Sequence, residues 1–238
     1  MLTVGSLFSG IGGLDLGLER AGMRVAWQSE IDPYACKVLA KHWPEVPNHG
    51  NIKEIDWRRV EPVDVICGGY PCQPFSTTGK RRGEEDPRHL WPWVREAISE
   101  LRPRYAILEN VRGHLSLGGT TVIGELACIG YDAEWRVVSA ASVGANHRRD
   151  RVIIVAYPSG QHLQKSQVLA TQKWLLGEFR GSSAWRGSKH WETNQPPMAG
   201  MDDGFSHWVD RSRALGNAVV PQVAEVIGRL VVAHAQQN

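Results

Sequence analysis

Strand-like and helix-like segments alternate along residues 1–157, and this alternation constrains the fold more than any other feature. "LTVGSLF" at residues 2–8 reads as a short strand, and "GGLDLGLERAG" then reads as a helix that Gly22 ends. Apolar runs and amphipathic segments repeat this order, and "EWRVVSA" and "RVIIVAY" complete the series. The spacing predicts an α/β fold with a parallel, doubly wound, Rossmann-like sheet.

The character of the sequence changes at residue 158. Residues 158–210 are rich in Gly, Ser, Gln, Pro and Trp and show little periodicity, which predicts a small loop-rich insertion. Residues 211–238 return to order and end in a long amphipathic helix after Pro221. We therefore predict one domain from residues 1–157 together with 211–238, and a small separate region at 158–210.

Composition narrows the class of protein. Hydrophobic residues make up 42% of the chain, as in a globular protein, and no continuous apolar run of about eighteen residues predicts a membrane span. The N-terminus lacks the pattern of a secretion signal. The four cysteines, at positions 36, 67, 72 and 128, have neither metal-ligand spacing nor a disulfide framework. We expect reduced thiols, a cytoplasmic location and no bound metal.

A glycine turn, "LFSGIGGLDLG", joins the first strand to the first helix. Its glycines allow a tight turn and close approach of a ligand. The P-loop sequence is missing, and Asp15 stands where a dinucleotide fingerprint has its third glycine. Glu30 ends the second strand, where doubly wound folds carry an acid for ribose hydroxyls. The pattern favours a nucleoside cofactor; the alternative is an ordinary βα turn with a solvated Glu30.

A cysteine stands in the loop "GGYPCQPFS", residues 68–76. Cys72 comes just after the carboxyl end of the strand "VDVICGG", where open α/β sheets build their sites. Pro71 and Pro74 restrict the backbone on both sides. A thiol held there can be a nucleophile if its pKa is lowered. The alternative is a small buried hydrophobe, which is how we interpret the other three cysteines.

Four motifs occur in a characteristic order: "FSGIGG", "GGYPCQPFS", "LENV" and "GNAVVP". Together they resemble the C5-cytosine DNA methyltransferases, over residues 1–157 and about 211–236, and the compact chain resembles a phage or prophage member. The resemblance implies a class I methyltransferase fold. It also implies transfer of a methyl group to carbon 5 of a cytosine that is flipped out of duplex DNA.

The resemblance implies a catalytic set of four side chains. Cys72 would be the thiolate that adds to carbon 6 of cytosine and makes carbon 5 nucleophilic. Glu109 of "LENV" would stand protonated beside ring nitrogen 3, which a raised pKa in a closed pocket allows; the alternative for Glu109 is a cap. Arg149 and Arg151 align with two family arginines that approach the cysteine and the base. His147 stands where the family has Gln.

By resemblance the methyl donor is S-adenosylmethionine, which becomes S-adenosylhomocysteine. Glu30 would bind the ribose, and Ile31 would lie against the adenine. Asn51 stands where the family usually has an Asp that accepts from the adenine amino group, and its side-chain carbonyl is still an acceptor. Ser6 is a second departure, since the family often has Asp there. The predicted cofactor set is Phe8, Gly10, Ile11, Gly13, Glu30, Ile31, Asn51, Ile52, Pro71, Leu90, Asn217 and Ala218.

The loop after the cysteine resembles the family's loop that closes over the flipped base, and its basic residues suit phosphate contacts. The predicted DNA-binding residues are Gln73, Ser76, Lys80, Arg81 and Arg82. Residues 158–210 would form the target-recognition region. This region is short for the family, and the family's usual penultimate motif is not recognisable in it.

Two alternatives to a DNA methyltransferase stay open. The tRNA cytosine-5 methyltransferases share this fold and cysteine chemistry, and a catalytically degenerate chain would bind cofactor or DNA as a regulator. The presence of all four catalytic candidates argues against degeneration. For the methyltransferase we expect a monomer in a bacterial or phage-infected cell, near the nucleoid, with double-stranded DNA as its partner. A cognate restriction endonuclease is a further candidate partner.

Overall fold

A computed structural model describes residues 1–71, 90–160, 210 and 214–237. Within these residues a single six-stranded sheet forms the centre of the fold. Its strands are β1 (Thr3–Leu7), β2 (Arg24–Ser29), β3 (Val65–Gly69), β4 (Tyr105–Val111), β5 (Tyr131–Ser139) and β6 (Asp150–Pro158). They lie in the order β2-β1-β3-β4-β6-β5. The chain builds outward from β1 in both directions, since β2 lies on one side of β1 and β3 on the other. Open α/β sheets bind ligands at such a switch point.

The sheet is mixed. Strands β1 to β4 pair in parallel, as predicted, whereas β6 runs antiparallel to both β4 and β5. Only residues 140–149 separate β5 from β6, and a parallel crossover needs a dozen or more residues. The predicted α/β fold is therefore confirmed, while the parallel pairing stops at β4.

The predicted helices after the glycine turn and after Pro221 are both present, with four others between them among the described residues. They are α1 (Gly13–Arg20), α2 (Pro33–His42), α3 (Trp91–Leu101), α4 (His114–Leu117), α5 (Gly119–Cys128) and α6 (Pro221–Ala235). The one-turn helix α4 was not predicted from the sequence, nor were the 3₁₀ turns at Ile52–Glu54, Trp57–Arg59 and Ala140–Val143. A single turn is too short to show a helical period.

Helices cover both faces of the sheet. Along β3, Ile66 faces a core with Trp91 and Ile98 of α3 and Leu126 of α5. Alternate residues of the same strand face the opposite core, which α1 and α6 cover. Buried residues therefore occupy consecutive positions along β3, as expected for a sheet that is covered on both sides.

Helix α6 is apolar because it packs in this second core. An 18-residue window within Ala214–Ala235 has a mean hydropathy of 1.3, so among the described residues this segment alone meets the length and composition of a membrane span. The core helix of a globular protein has the same composition, and 44% of the window is buried here. Packing against α1 accounts for its apolar character.

Glycines allow α6 to approach α1 closely. A Cβ on Gly17 would overlap the carbonyl oxygen of Pro221 and the Cβ of Ala224. A Cβ on Gly228 would come within 2.7 Å of the Cβ of Ala21. This contact fixes where the C-terminal segment lies relative to the glycine turn that precedes α1.

We expect Gly17→Ala to lower the free energy of unfolding by about 1–3 kcal/mol, because the added methyl group forces α6 away from α1. The matched control is Gly124→Ala in α5, where nothing lies within 4 Å of the added Cβ. The control should raise stability by up to about 1 kcal/mol through helix propensity. Urea denaturation measures both, and a Gly17→Ala protein as stable as the wild type would contradict the close packing.

Candidate active site

A cavity of about 200 Å³ opens at the carboxyl ends of the parallel strands. The glycine turn, the end of β2 and the C-terminal segment before α6 form its walls, and β3 and β4 reach it with one residue each. The lining residues are Phe8, Ser9, Gly10, Ile11, Gly13, Leu14, Glu30, Asp32, Ala35, Gly69, Glu109, Ala214, Asn217, Ala218 and Val219. Residues distant in sequence thus meet at the switch point of the sheet.

The glycine turn has a left-handed backbone at three positions, with φ values of 52° at Phe8, 56° at Gly10 and 80° at Gly12. Glycine adopts this conformation freely, whereas Phe8 does so against its preference. The space where a Cβ of Gly10 would stand has no atom closer than 4.0 Å, so the turn leaves room beside its backbone. That room opens into the cavity.

The carboxylate of Glu30 joins the end of β2 to the glycine turn. Its Oε2 accepts a hydrogen bond of 2.7 Å from the backbone N–H of Gly10. Its Oε1 accepts bonds of 2.8 Å from the N–H groups of Ile31 and Asp32. An ionised carboxylate has about four acceptor positions, so Glu30 keeps capacity for one more donor from within the cavity.

Asp15 is completely buried in the first turn of α1. Its Oδ2 accepts from the hydroxyl of Ser6 at 2.9 Å, and its Oδ1 accepts from the amide of Gln28 at 2.8 Å. Burial raises the pKa of Asp15 to about 6, against the opposing effect of these two hydrogen bonds. Ser6 and Asp15, two departures noted in the sequence, are therefore bonded to each other and leave a buried carboxylate next to the turn.

Glu109, at the end of β4, lies 7% exposed in the cavity wall. Nε of Arg151 stands 2.8 Å from its Oε1, which makes an ion pair. The N–H is not aligned with this oxygen, and Oε1 accepts no well-aligned hydrogen bond from the described residues. Burial raises the pKa of Glu109, although Arg151 and Arg149 act to lower it. A carboxyl group that is buried, poorly bonded and easy to protonate can donate a proton to a ligand.

Gly69 makes room for this carboxyl group. It pairs with Glu109 across β3 and β4, and a Cβ on Gly69 would stand 3.0 Å from Oε2 of Glu109. The glycine that ends β3 therefore serves the acid on the neighbouring strand, a role that its place in a cysteine loop did not indicate.

Arg149 lies against the C-terminal segment. Its Nη2 donates a hydrogen bond of 2.7 Å to the carbonyl of Ala218, and its backbone has a φ of 33°. Burial lowers the pKa of this guanidinium, and the neighbouring charge of Arg151 acts in the same direction. In this structure Arg149 thus holds a residue of the cavity wall in place, while Arg151 contacts the acid.

An aromatic cluster fixes the backbone just before the cysteine. The hydroxyl of Tyr70 lies 2.7 Å from Nε2 of His114, and the amide of Asn110 donates to the carbonyl of Tyr70 at 3.2 Å. The ring of Trp91 packs on Tyr70 at 5.5 Å between centroids. These contacts were not predicted, because a histidine three residues after "ENV" carries no signal of its own.

Cys72 itself and the predicted DNA-binding residues lie outside the described residues. The latter are Gln73, Ser76, Lys80, Arg81 and Arg82.

Seven of the predicted cofactor residues line the cavity: Phe8, Gly10, Ile11, Gly13, Glu30, Asn217 and Ala218. The other five lie elsewhere in the described structure. Ile31 is 67% exposed, and Ile52 is buried in the core. Asn51 caps the turn at Ile52–Glu54, where its Oδ1 accepts from the N–H of Lys53. Pro71 is exposed and Leu90 precedes α3.

Comparison with known proteins decides the family. Residues 2–186 match the family model of the C-5 cytosine-specific DNA methylases. The chain belongs to this family. It is 41% identical over 162 residues to the type II methyltransferase M.Eco47II of Escherichia coli, a match that covers 65% of this chain and 39% of that protein. It is 30% identical over 209 residues to M.NgoMIV of Neisseria gonorrhoeae, with 80% and 65% covered. The chain thus spans 39% to 65% of the length of these two relatives.

Solved structures of methyltransferases share the fold. A prophage-encoded protein of Escherichia coli, assigned as a DNA modification methyltransferase, is 30% identical, with a TM-score of 0.57 over 66% of this chain and 47% of that one. The Dnmt2 methyltransferase of S. pombe has a TM-score of 0.60 at 21% identity, over 71% and 55%. The latter likeness shows the fold alone.

We expect Arg151→Gln to raise the pKa of Glu109 further, because the ion pair that favours the carboxylate is lost while burial remains. A raised pKa disfavours the ionised folded state, so the variant should lose stability relative to the wild type as the pH rises through that pKa. Carbon-13 NMR titration of the carboxyl group measures the shift. Arg112→Gln is the control, since Arg112 is exposed and its ion pair, at 3.6 Å, is with Asp150. Equal Glu109 titration in the wild type and Arg151→Gln would contradict the pairing.

Proposed function

We propose that this chain is a DNA (cytosine-5-)-methyltransferase that acts on a cytosine flipped out of duplex DNA. Membership of the C-5 cytosine-specific DNA methylase family supports the reaction class. The observation that carries the proposal is the carboxyl group of Glu109, which is buried in the wall of the cavity that the glycine turn frames. An acid placed there can protonate a ring nitrogen of a base that enters the cavity.

The cavity fits an adenosyl cofactor. The open backbone of Gly10 admits a ligand closely, and the spare acceptor position of Glu30 suits a ribose hydroxyl. Asn217 and Ala218 would close the site from the C-terminal segment. S-adenosylmethionine, when bound, would supply the methyl group.

Glu109 and Cys72 would divide the activation of cytosine between them. The Cys72 thiolate adds to carbon 6 and forms a carbon–sulfur bond, while nitrogen 3 takes the proton of Glu109, so that the ring becomes an electron-rich enamine. Carbon 5 would then take the methyl group, and a base would remove the proton from carbon 5. The carbon–sulfur bond would break to release the thiolate, and nitrogen 3 would return its proton to Glu109. Cys72 lies outside the described residues, three positions after Gly69, which adjoins Glu109.

The two arginines would position these groups. Arg151 keeps the carboxyl group of Glu109 at the cavity, and its charge limits how far burial raises the pKa of that group. Arg149 ties the strand that carries Arg151 to Ala218 in the cofactor wall. Duplex DNA would approach through Gln73, Ser76, Lys80, Arg81 and Arg82.

Methyl transfer to duplex DNA from labelled donor tests the proposal, with tRNA as a parallel substrate. We expect transfer to DNA, no transfer with Cys72→Ala, and a covalent adduct with duplex DNA that carries 5-fluorocytosine, because the fluorine cannot leave as a proton does. Methyl transfer to tRNA but not to duplex DNA would show that the substrate is tRNA. Methylation by Cys72→Ala would contradict the role of the thiol.

Glu109→Gln should slow transfer by about 10²-fold or more, because an amide cannot deliver a proton to nitrogen 3. Glu100→Gln is the matched control, since Glu100 is an exposed residue of α3 outside the cavity lining. Single-turnover rates at saturating cofactor measure the difference. Equal single-turnover rates for the two variants would show that Glu109 takes no part in the reaction.

A further inference from the structure

Asp15 is a buried acid whose hydrogen-bond partners do not require a negative charge. Both of its oxygens accept from neutral donors, Ser6 and Gln28, and no lysine, arginine or histidine among the described residues pairs with it. An asparagine could accept from Gln28 through its oxygen and donate to the hydroxyl of Ser6. Burying an ionised carboxylate is unfavourable when no cation accompanies it. The negative charge, rather than the hydrogen bonds, is therefore the feature to explain.

The charge lies just behind the cavity. Asp15 follows Gly13 and Leu14, which both line the cavity. Its donors belong to strands whose ends also reach it: Ser6 is two residues before Phe8, and Gln28 is two residues before Glu30. Helix geometry places the carboxylate within about 10 Å of the cavity. Because Asp15 is fully buried, mobile ions screen its field weakly.

We propose that Asp15 makes the cavity select the cationic methyl donor over its neutral product. This inference rests on the proposed function. S-adenosylmethionine carries a sulfonium charge that S-adenosylhomocysteine has lost, while both keep an ammonium and a carboxylate group. For a sulfonium that binds about 10 Å from the carboxylate, an effective dielectric constant of about 20 gives an attraction that favours the donor by roughly tenfold in affinity. Loss of that attraction on methyl transfer would aid product release.

The pH dependence follows from the same group. Burial raises the pKa of Asp15 to about 6, so its carboxylate is charged at neutral pH and becomes protonated below that value. The affinity ratio of donor to product should therefore fall as the pH is lowered through about 6. Other ionisable groups around Asp15 and the cavity are Glu19, Glu30, Asp32, Cys67 and Glu109. Comparison with Asp15→Asn isolates the contribution of Asp15 from theirs.

Titration calorimetry of the full chain with each compound separately tests the inference without requiring turnover. Asp15→Asn should weaken binding of S-adenosylmethionine by roughly five- to tenfold and change binding of S-adenosylhomocysteine by less than about twofold. Ser6→Ala removes a hydrogen bond that lowers the pKa of Asp15, so it is compared at about pH 8.5, where the carboxylate stays charged, and there it should affect both compounds alike. If Asp15→Asn weakened the binding of both compounds equally, the inference would be overturned and Asp15 would be a packing residue.

The wild type together with Glu109→Gln provides a second measurement if Asp15→Asn does not fold, because that variant removes the titration of Glu109 from the cavity wall. In both proteins the affinity ratio of donor to product should be several-fold lower at about pH 5 than at about pH 7.5. A ratio that does not change with pH would overturn the inference even if both compounds bind well. If neither compound binds the wild type, the cofactor site itself fails, and the proposed function fails with it.

Discussion

The close approach of the C-terminal segment to helix α1 is the contact on which the site depends. Gly13 and Gly17 have no side chains, so Val219 and Pro221 lie directly on the backbone of α1. This contact brings Asn217 and Ala218, more than two hundred residues after the glycine turn, into the same cavity wall. Without it, the turn would face open solvent on one side.

Charge is distributed unevenly around the cavity. Carboxyl groups lie in its wall at Glu30, Asp32 and Glu109, and Asp15 adds a fourth just behind it. The arginines reach the site from β6 and the residue before it, and one of them is bound to a backbone carbonyl. A cavity with these charges is suited to two ligands: a cation against the carboxyl groups on one side, and a nucleobase that accepts a proton on the other.

The two glutamates of the cavity wall differ in their surroundings. The carboxyl group of Glu30 accepts hydrogen bonds from three backbone N–H groups, an arrangement that orients it. Glu109 has a raised pKa because it is desolvated, and its arginine partner is poorly aligned. Two residues of the same type thus differ in environment, because backbone donors bind one carboxyl group whereas the other is buried beside a misaligned arginine.

Local sequence determined the longer helices, the strands, the glycine turn and the family of this chain, since hydrophobic period, capping residues and short motifs act over a few neighbours. The antiparallel β6, the place of Arg149 on Ala218 and the cluster of Tyr70, His114 and Trp91 came only from the tertiary structure. These features depend on which distant residues meet. The cap that Asn51 forms and the core position of Ile52 also came only from the tertiary structure, and their cofactor contacts stay predictions. A short motif records a residue type, whereas its partner is decided by the packing of the whole chain.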